Sequence, residues 1–186
     1  RRVIMIVNVK IEGTSPLLMH RFSQEGQPAK KSVKKDEKRV TDNVKAYLYR
    51  RPDGTIYQPS THIICTMKKA GARFQIPGQG KLTYKNLIGS GVVIVDPDDI
   101  EHINQKWETD IRSVIINRAR IMRSRPCFKE WALQFALDID EEELDSDVLK
   151  EILEHAGKRV GIGDFRPEKG GSFGRFHVTE WKKAKK

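Results

Sequence analysis

The sequence predicts an α+β fold in which four core strands and two core helices follow one another in the order βαββαβ. Apolar and polar residues alternate with a period of two over residues 3–11 and again over 127–139, as in strands that bury one face. Two other stretches, 60–74 and 146–157, place their apolar residues on one helical face. Residues 173–181 are predicted to form the last strand.

The first half of this core is a strand, a helix and a second strand. Residues 3–11 form the first strand. The helix is predicted to begin with Ser60 as its N-cap, because a serine hydroxyl can accept a hydrogen bond from an unpaired amide of the first turn. The second core strand is predicted at 107–117, with a change of phase in its alternation near Val114.

The second half of the core begins with the clearest strand of the chain, 127–139. Asp145 or Ser146 is predicted to cap the second helix, and Gly157 is placed to end it. A glycine-rich stretch then leads into the last strand.

These elements are predicted to form a single RNA-recognition-motif-like domain over residues 1–186, with insertions at about 21–58 and 75–106. The order βαββαβ is that of ferredoxin-like and RNA-recognition folds, in which helices cover one face of a four-stranded antiparallel sheet. The other face is free to bind a ligand, but this fold supports many functions.

The amino-acid composition limits the classes of partner that this protein is expected to bind. The formal charge of +10 makes polyanions the first partners to consider. Cys65 and Cys127 lie in apolar patterns without metal-ligand spacing, which predicts reduced core thiols in a cytoplasmic protein, with no metal and no cofactor. Apolar runs are too short for a membrane span, so a membrane partner is not expected.

The stretch 157–176 holds six of the fourteen glycines of the chain, interleaved with arginine, lysine and phenylalanine. A simple connection between a helix and a strand needs only one or two glycines. The composition therefore favours a loop that brings backbone amides and guanidinium groups close to phosphates and unpaired bases. A plain connector is the alternative.

This loop resembles the hallmark of the RAMP superfamily of CRISPR-associated proteins. The resemblance rests on Gly161-Ile-Gly-Asp-Phe-Arg-Pro167 and Gly170-Gly-Ser-Phe-Gly-Arg-Phe176. The stretch Glu12-Gly-Thr-Ser-Pro-Leu-Leu18 is similar to the turn after the first strand in the backbone subunits of that superfamily, and a basic insertion follows it as in theirs. A stand-alone relative from a virus or mobile element matches these features equally well.

The resemblance implies a subunit that binds the backbone of a guide RNA, paired with a target strand. It implies a ribonucleoprotein filament, built from copies of the chain and other subunits, that acts in antiviral defence. The loop residues that it makes candidates for RNA contact are Gly163, Arg166, Gly171 and Arg175.

Two further groups of cations are predicted to follow the phosphates. One belongs to the first insertion, which holds ten Lys and Arg against four acids over 21–51 and is predicted to be an arm that orders on a partner. The other lies where two strands would meet in a hairpin, and pairing with nearby acids such as Asp110 is its alternative. The candidates are Arg21, Lys30, Lys31, Lys34, Lys35, Arg118, Arg120, Arg123 and Arg125.

A metal-free endoribonuclease is the main alternative function, because His20 and His62 each lie near basic residues and can serve as a general base. Asp36 and Asp42 lie in the insertion where some members of the superfamily carry an RNA-cleaving aspartate. Since no spacing identifies a catalytic set, a non-enzymatic subunit is the first expectation. A basic protein that binds an acidic partner is the third hypothesis.

Overall fold

The computed structural model describes residues 4–22, 44–96, 99–116 and 119–184. This part of the chain forms nine strands: β1 (Ile4–Gly13), β2 (Leu17–Leu18), β3 (Tyr57–Pro59), β4 (Val92–Asp96), β5 (Asp99–Glu101), β6 (Glu108–Ile116), β7 (Ala119–Phe128), β8 (Ala132–Asp140) and β9 (Phe176–Lys183). It also forms the helices α1 (Ser60–Gly71), α2 (Tyr84–Gly91) and α3 (Ser146–Arg159), and 3-10 turns at Val44–Tyr47 and Pro167–Lys169.

The central layer is a four-stranded antiparallel sheet with the strand order β4-β8-β1-β9. In β1, Val7, Val9 and Ile11 are at most 1 % exposed, whereas Asn8 between them is exposed. The buried residues share one hydrophobic core with apolar side chains of α1 and α3. Helices therefore cover one face of this sheet, and the predictions of an α+β fold and of the first strand are confirmed.

The strand predicted at 107–117 forms, but its predicted place in this sheet is wrong. It is β6, which pairs with β7 in a second sheet of order β2-β7-β6. The place beside β8 is taken by β4, where Val92 and Ile94 are buried. The reason is that β6 exposes large apolar residues such as Ile115 and has no buried face to offer the core.

Three boundary predictions also change. The strand predicted at 127–139 is divided, because β7 ends at Phe128 and β8 begins at Ala132. Ser60 is the first residue of α1 and makes no capping bond. Gly157 lies inside α3, where a Cβ atom would be 2.1 Å from the carbonyl oxygen of Phe176, so it serves close packing and does not end the helix.

The cap of the last helix is confirmed. The side chain of Asp145 accepts a hydrogen bond of 2.7 Å from the amide of Asp147 at the start of α3.

The two cysteines differ in exposure. Cys127 is buried and Cys65 is exposed, so the prediction of a core thiol is wrong for Cys65. None of the helices in the described ranges combines the length and apolar content needed to cross a bilayer.

The segment after β5 buries a histidine in the core. His102 is 2 % exposed and stacks on Phe128 with 4.8 Å between the ring centroids. Neither ring nitrogen has a hydrogen-bond partner among the described residues, and burial lowers the pKa of His102 to about 4. A buried polar group without a partner destabilises the native state.

His102 is expected to make the fold sensitive to acid. Its pKa in the unfolded chain is near 6.5, so the stability that depends on the neutral ring is complete above that value and is lost as the pH falls toward 4. Urea denaturation should show a loss of about 2 kcal/mol between neutral pH and about pH 5 from this group.

His102→Phe should remove that part of the pH dependence and raise stability at neutral pH, because the phenyl ring keeps the stacking without the unpaired nitrogens. The control is His177→Phe, which replaces an exposed histidine of β9. An unchanged pH dependence in His102→Phe would assign the acid sensitivity to other groups.

Candidate nucleic-acid interface

A cleft of about 400 Å³ opens between α1, the segment that follows β2 and the first half of the glycine-rich loop. Histidine, cation and amide side chains alternate with apolar ones along its walls. The lining residues are Met19, His20, Tyr49, Gln58, His62, Cys65, Thr66, Lys69, Ile162, Gly163, Asp164 and Arg166.

Helical spacing supplies one wall. His62, Thr66 and Lys69 are four and three residues apart on α1, so they lie on one face of the helix and point to the same side. The adjacent face, with Ile63 and Met67, is fully buried in the core. The helix is thus fixed by its apolar face and presents its polar face to the cleft.

His62 is held in place by two contacts. Its Nδ1 forms a hydrogen bond with the side-chain amide of Gln58, and its ring edge meets Tyr49 with centroids 5.4 Å apart. Burial, and then the charge of Arg166, lower the pKa of His62. The neutral ring therefore predominates at pH 7. In the amide orientation present, Gln58 donates to Nδ1, so the proton of the neutral ring is on Nε2.

His20 lies on the opposite wall. It follows β2 and stacks on Tyr47 with centroids 4.6 Å apart. Burial, and then the charge of Arg123, lower the pKa of His20, while Asp164 opposes them. Its Nδ1 is buried and has no hydrogen-bond partner among the described residues. The two histidines singled out in the sequence therefore face one cleft.

The glycine-rich loop packs closely against the rest of the protein. The amide of Ile162 donates to the carbonyl of Gly174 at 3.0 Å, that of Asp164 to Leu18 at 2.8 Å, and that of Gly174 to Pro16 at 2.8 Å. These amides are not available to a phosphate. For them, the prediction that the loop presents its backbone to a polynucleotide is wrong.

The glycines allow backbone to approach backbone inside the protein. A Cβ atom on Gly171 would lie 1.7 Å from the carbonyl oxygen of Phe165, and one on Gly174 would lie 1.8 Å from that of Ile162. At Gly163, which lines the cleft, a Cβ would lie 2.5 Å from the carbonyl oxygen of Leu18. Contact of Gly163 and Gly171 with RNA stays a prediction.

Arg166 joins the loop to α1 at the rim of the cleft. Its Nη1 donates to the carbonyl of Gly163 at 3.0 Å, and its Nη2 lies 2.8 Å from Glu168. Glu168 also pairs with Lys69 at 2.7 Å. Burial opposes ionisation of Glu168, but the hydrogen bonds from Lys69 and Arg166 outweigh it and lower its pKa. Two cations against one carboxylate leave the rim with an excess positive charge.

The predicted arginine hairpin forms as β6 and β7, and its base contacts the loop. Arg125 is 5 % exposed, with its Nε 2.6 Å from Oδ2 of Asp164. Arg112 lies over the ring of Phe173 at 4.7 Å and pairs with Asp110, as the alternative interpretation expected. The hairpin and the glycine-rich loop are thus tied together beside the cleft.

The remaining predicted residues divide into four groups. Arg21 is near the cleft, since its charge acts on Tyr49 and its amide donates to the carbonyl of Tyr47 at 2.9 Å. Arg175 lies away from it and donates to the carbonyl of Lys158 at 2.6 Å. Arg120 is exposed on the hairpin. The candidates outside the described residues are Lys30, Lys31, Lys34, Lys35, Asp36, Asp42 and Arg118.

Sequence reasoning missed Gln58, Lys69 and Asp164 as parts of the cleft. The signal for Lys69 was its spacing from His62 on a helix with one apolar face. Among the described residues, no group of three histidine, cysteine or carboxylate side chains is arranged to hold a metal ion.

The described residues thus define an α+β protein with antiparallel sheets and a cleft that is lined by two histidines and has cations at its rim. The fold is similar to that of a chain in the cryo-EM structure of the Type III-B Cmr-beta bound to cognate target RNA, with a TM-score of 0.61, 12 % identity and coverage of 98 % of this chain. This chain spans 61 % of the length of that one.

The crystal structure of Cmr6 from Pyrococcus furiosus is also similar, with a TM-score of 0.50, 13 % identity and coverage of 95 % of this chain and 99 % of that one. No protein-family model and no curated protein matches the sequence. At these identities the likeness concerns the fold alone.

Proposed function

We propose that this protein is an RNA-binding subunit of a CRISPR-type ribonucleoprotein. The observation that carries the proposal is the convergence of Lys69 and Arg166 with two neutral histidines around one cleft, where the charge of Arg123 also acts on His20. The formal charge of +10 and the likeness of the fold to Type III-B Cmr proteins support it. Together they favour a polyanion as the ligand.

The cleft offers different contacts to the parts of a nucleotide. Arg166 and Lys69 at the rim suit a phosphate, because both are cations whose N–H groups already donate to a carboxylate, that of Glu168, and can donate to phosphate oxygens in the same way. The ring of Tyr49 suits stacking with a base, and the histidine nitrogens suit hydrogen bonds with its edge or with a ribose hydroxyl. The volume of about 400 Å³ lies within the range of small-molecule sites.

The open face of the main sheet is less suited to RNA. Residues on this face of β1 and β8 include Asn8, Lys10, Gln134 and Asp138, and none of its described residues is Phe, Tyr or Trp. Base stacking on the sheet, as in RNA-recognition motifs, lacks its aromatic platform here. The proposal therefore assigns RNA to the cleft.

The finer expectations belong to the same proposal. Taken in chain order, β1, α1, β4, β8, α3 and β9 make a βαββαβ unit with the sheet order β4-β8-β1-β9, which supports a ferredoxin-like core. Binding to a guide RNA backbone, assembly from copies in a filament and a cytoplasmic location follow from the resemblance to RAMP proteins.

A direct binding measurement tests the proposal. Nuclease-treated protein is titrated into a labelled single-stranded RNA of mixed sequence, and fluorescence anisotropy is followed at several salt concentrations. We expect binding that weakens steeply with salt, because each phosphate contact releases counterions. A DNA strand of the same sequence separates RNA from DNA as the ligand. Absence of binding at low salt would contradict the proposal and favour an acidic protein partner.

A metal-free endoribonuclease is the second candidate, because His20 and His62 face the same cleft. His20 would take the proton of a ribose 2′-hydroxyl as the 2′-oxygen attacks the phosphorus. Protonated His62 would give its Nε2 proton to the leaving 5′-oxygen. The products would be a 2′,3′-cyclic phosphate and a 5′-hydroxyl.

This candidate predicts a particular pH dependence. Because the pKa values of both histidines are lowered from 6.5, the state with one neutral and one protonated ring is most populated below that pH. Cleavage should persist in a chelator, peak below about pH 6.5, and fall at least about a hundredfold in His20→Ala and in His62→Ala. His155→Ala is the control, and cleavage that survives in both cleft variants would exclude this mechanism.

A further inference from the structure

One face of the β6–β7 hairpin presents apolar side chains that no other described part of the chain covers. In the ladder, Ile115 pairs with Arg120, and Met122 lies on the same face next to Ile111. Ile115 is 70 % exposed and Met122 is 54 % exposed. Arg120 is exposed and has no ion-pair or hydrogen-bond partner in the described ranges. The face is thus an apolar stripe beside a free cation.

Packing against another surface would stabilise this ribbon. A two-stranded ribbon is marginally stable in water unless its face packs on another surface. Towards its base the same face is covered, because Ser124 is 3 % exposed. On the same face Ile111, Ile115 and Met122 remain exposed, and adjoining exposed apolar residues mark interaction sites.

A second surface of the chain has the complementary character. On the open face of the main sheet, Asp138 of β8 lies between Val93 of β4 and Ile6 of β1 in one row of the ladder. Val93 and Val95 are each 50 % exposed. The Oδ1 atom of Asp138 is shielded from solvent and has no hydrogen-bond partner among the described residues. Asp138 therefore has apolar neighbours in this part of the face, and one of its two carboxylate oxygens lacks a partner among the described residues.

Charge and polarity match between the two surfaces, and within one copy Arg120 and Asp138 make no ion pair. We propose that the hairpin face of one copy docks on the open sheet face of a second copy, with Arg120 paired to Asp138 and the isoleucines against Val93 and Val95. A carboxylate within an apolar patch is a suitable anchor for an arginine, since the surrounding side chains exclude water from the pair.

The contact is heterologous, because the two surfaces differ. A head-to-tail contact of this kind leaves one hairpin and one sheet face open at the ends, so it extends into a ring or a filament. The inference names the surfaces for the assembly from copies that the proposed function includes, and it assigns the open sheet face to protein and the cleft to RNA.

Complementary charge reversals test the contact. Sedimentation velocity is measured for nuclease-treated protein over a wide concentration range, without RNA and with a single strand long enough for several copies. The wild type should associate, and Arg120→Glu and Asp138→Lys alone should each weaken association by about a hundredfold, because like charges then face each other. A mixture of the two variants should associate again, since each altered charge meets its complement.

Glu151→Lys is the matched control, because it reverses an exposed charge on α3. Ile115→Ser should weaken association without a change in RNA affinity. A wild type that stays monomeric with and without RNA would overturn the contact, and so would a mixture of the two reversals that fails to associate. If Ile115→Ser abolishes self-association and Asp138→Lys does not, the contact joins two hairpins and the proposed contact is overturned. Self-association without RNA binding would leave this inference standing and contradict the proposed function.

Discussion

Replacing Lys69, Arg123 and Arg166 together by glutamine is expected to weaken binding of single-stranded RNA by about a hundredfold. Lys69 and Arg166 line the cleft and share Glu168 at its rim, and the charge of Arg123 acts on His20 in the cleft. Each lost phosphate contact should also lower the slope of log affinity against log salt by about 0.7. Anisotropy titrations at several salt concentrations measure both quantities.

The matched control removes the same formal charge elsewhere. Lys81, Lys85 and Lys150 are exposed cations on the loop before α2, on α2 and on α3. Their triple replacement by glutamine should change affinity only slightly at physiological salt, because exposed charges beyond about 8 Å are screened. Equal losses in the two triple variants would mean that net charge, and not the cleft, binds RNA.

Glu168→Gln is expected to change RNA affinity in the opposite direction. Removal of the carboxylate frees Lys69 and Arg166 from their common partner, so RNA affinity should rise by about threefold. A fall in affinity would instead mean that Glu168 holds the two cations in their binding geometry.

Gly174→Ala is expected to destabilise the fold by more than about 4 kcal/mol, whereas Gly170→Ala should lower stability by only about 1 kcal/mol. Both glycines have positive φ, 69° and 76°. The room for a side chain differs between them. A Cβ atom on Gly174 would lie 1.8 Å from the carbonyl oxygen of Ile162, whereas a Cβ atom on Gly170 would have no other atom within 4 Å. The pair therefore separates steric contact from backbone strain.

Urea denaturation with circular dichroism measures the two free energies. Because Gly174 pairs with Ile162 next to Asp164, the alanine variant should also weaken RNA binding under conditions where it remains folded. Equal destabilisation by the two substitutions would contradict a packing role for the loop and return it to the role of an exposed binding loop.

Much of the fold could be predicted from the sequence, because its strongest patterns report burial directly. Strands β1 and β8 alternate cleanly, and the stripe of Leu149, Ile152 and Leu153 marks α3. Strand β4 was harder to place, since an apolar run such as Val92-Val-Ile-Val95 fits several environments. Strand β6 has a strand pattern but no buried face, and its periodicity cannot indicate which sheet it joins.

The candidate site was predicted in pieces. His20 and His62 were recognised as possible general bases and Arg166 as a possible RNA contact, but their spacing along the chain does not reveal one cleft. The glycine-rich loop was recognised as a place of close backbone approach. Its partner in that approach is the carbonyl backbone of the same protein, at Phe165 and Ile162.

The sequence by itself determined the α+β class, the strands with one apolar face, a helix cap at Asp145 or Ser146 and the cationic character of the surface. These follow from local periodicity and composition, which record what each segment buries. Only the tertiary structure decided that β4 and not β6 joins β8, that the loop amides bond to protein, and that His20 and His62 share a cleft. Those outcomes depend on contacts between segments far apart in the chain, and local pattern carries no record of them.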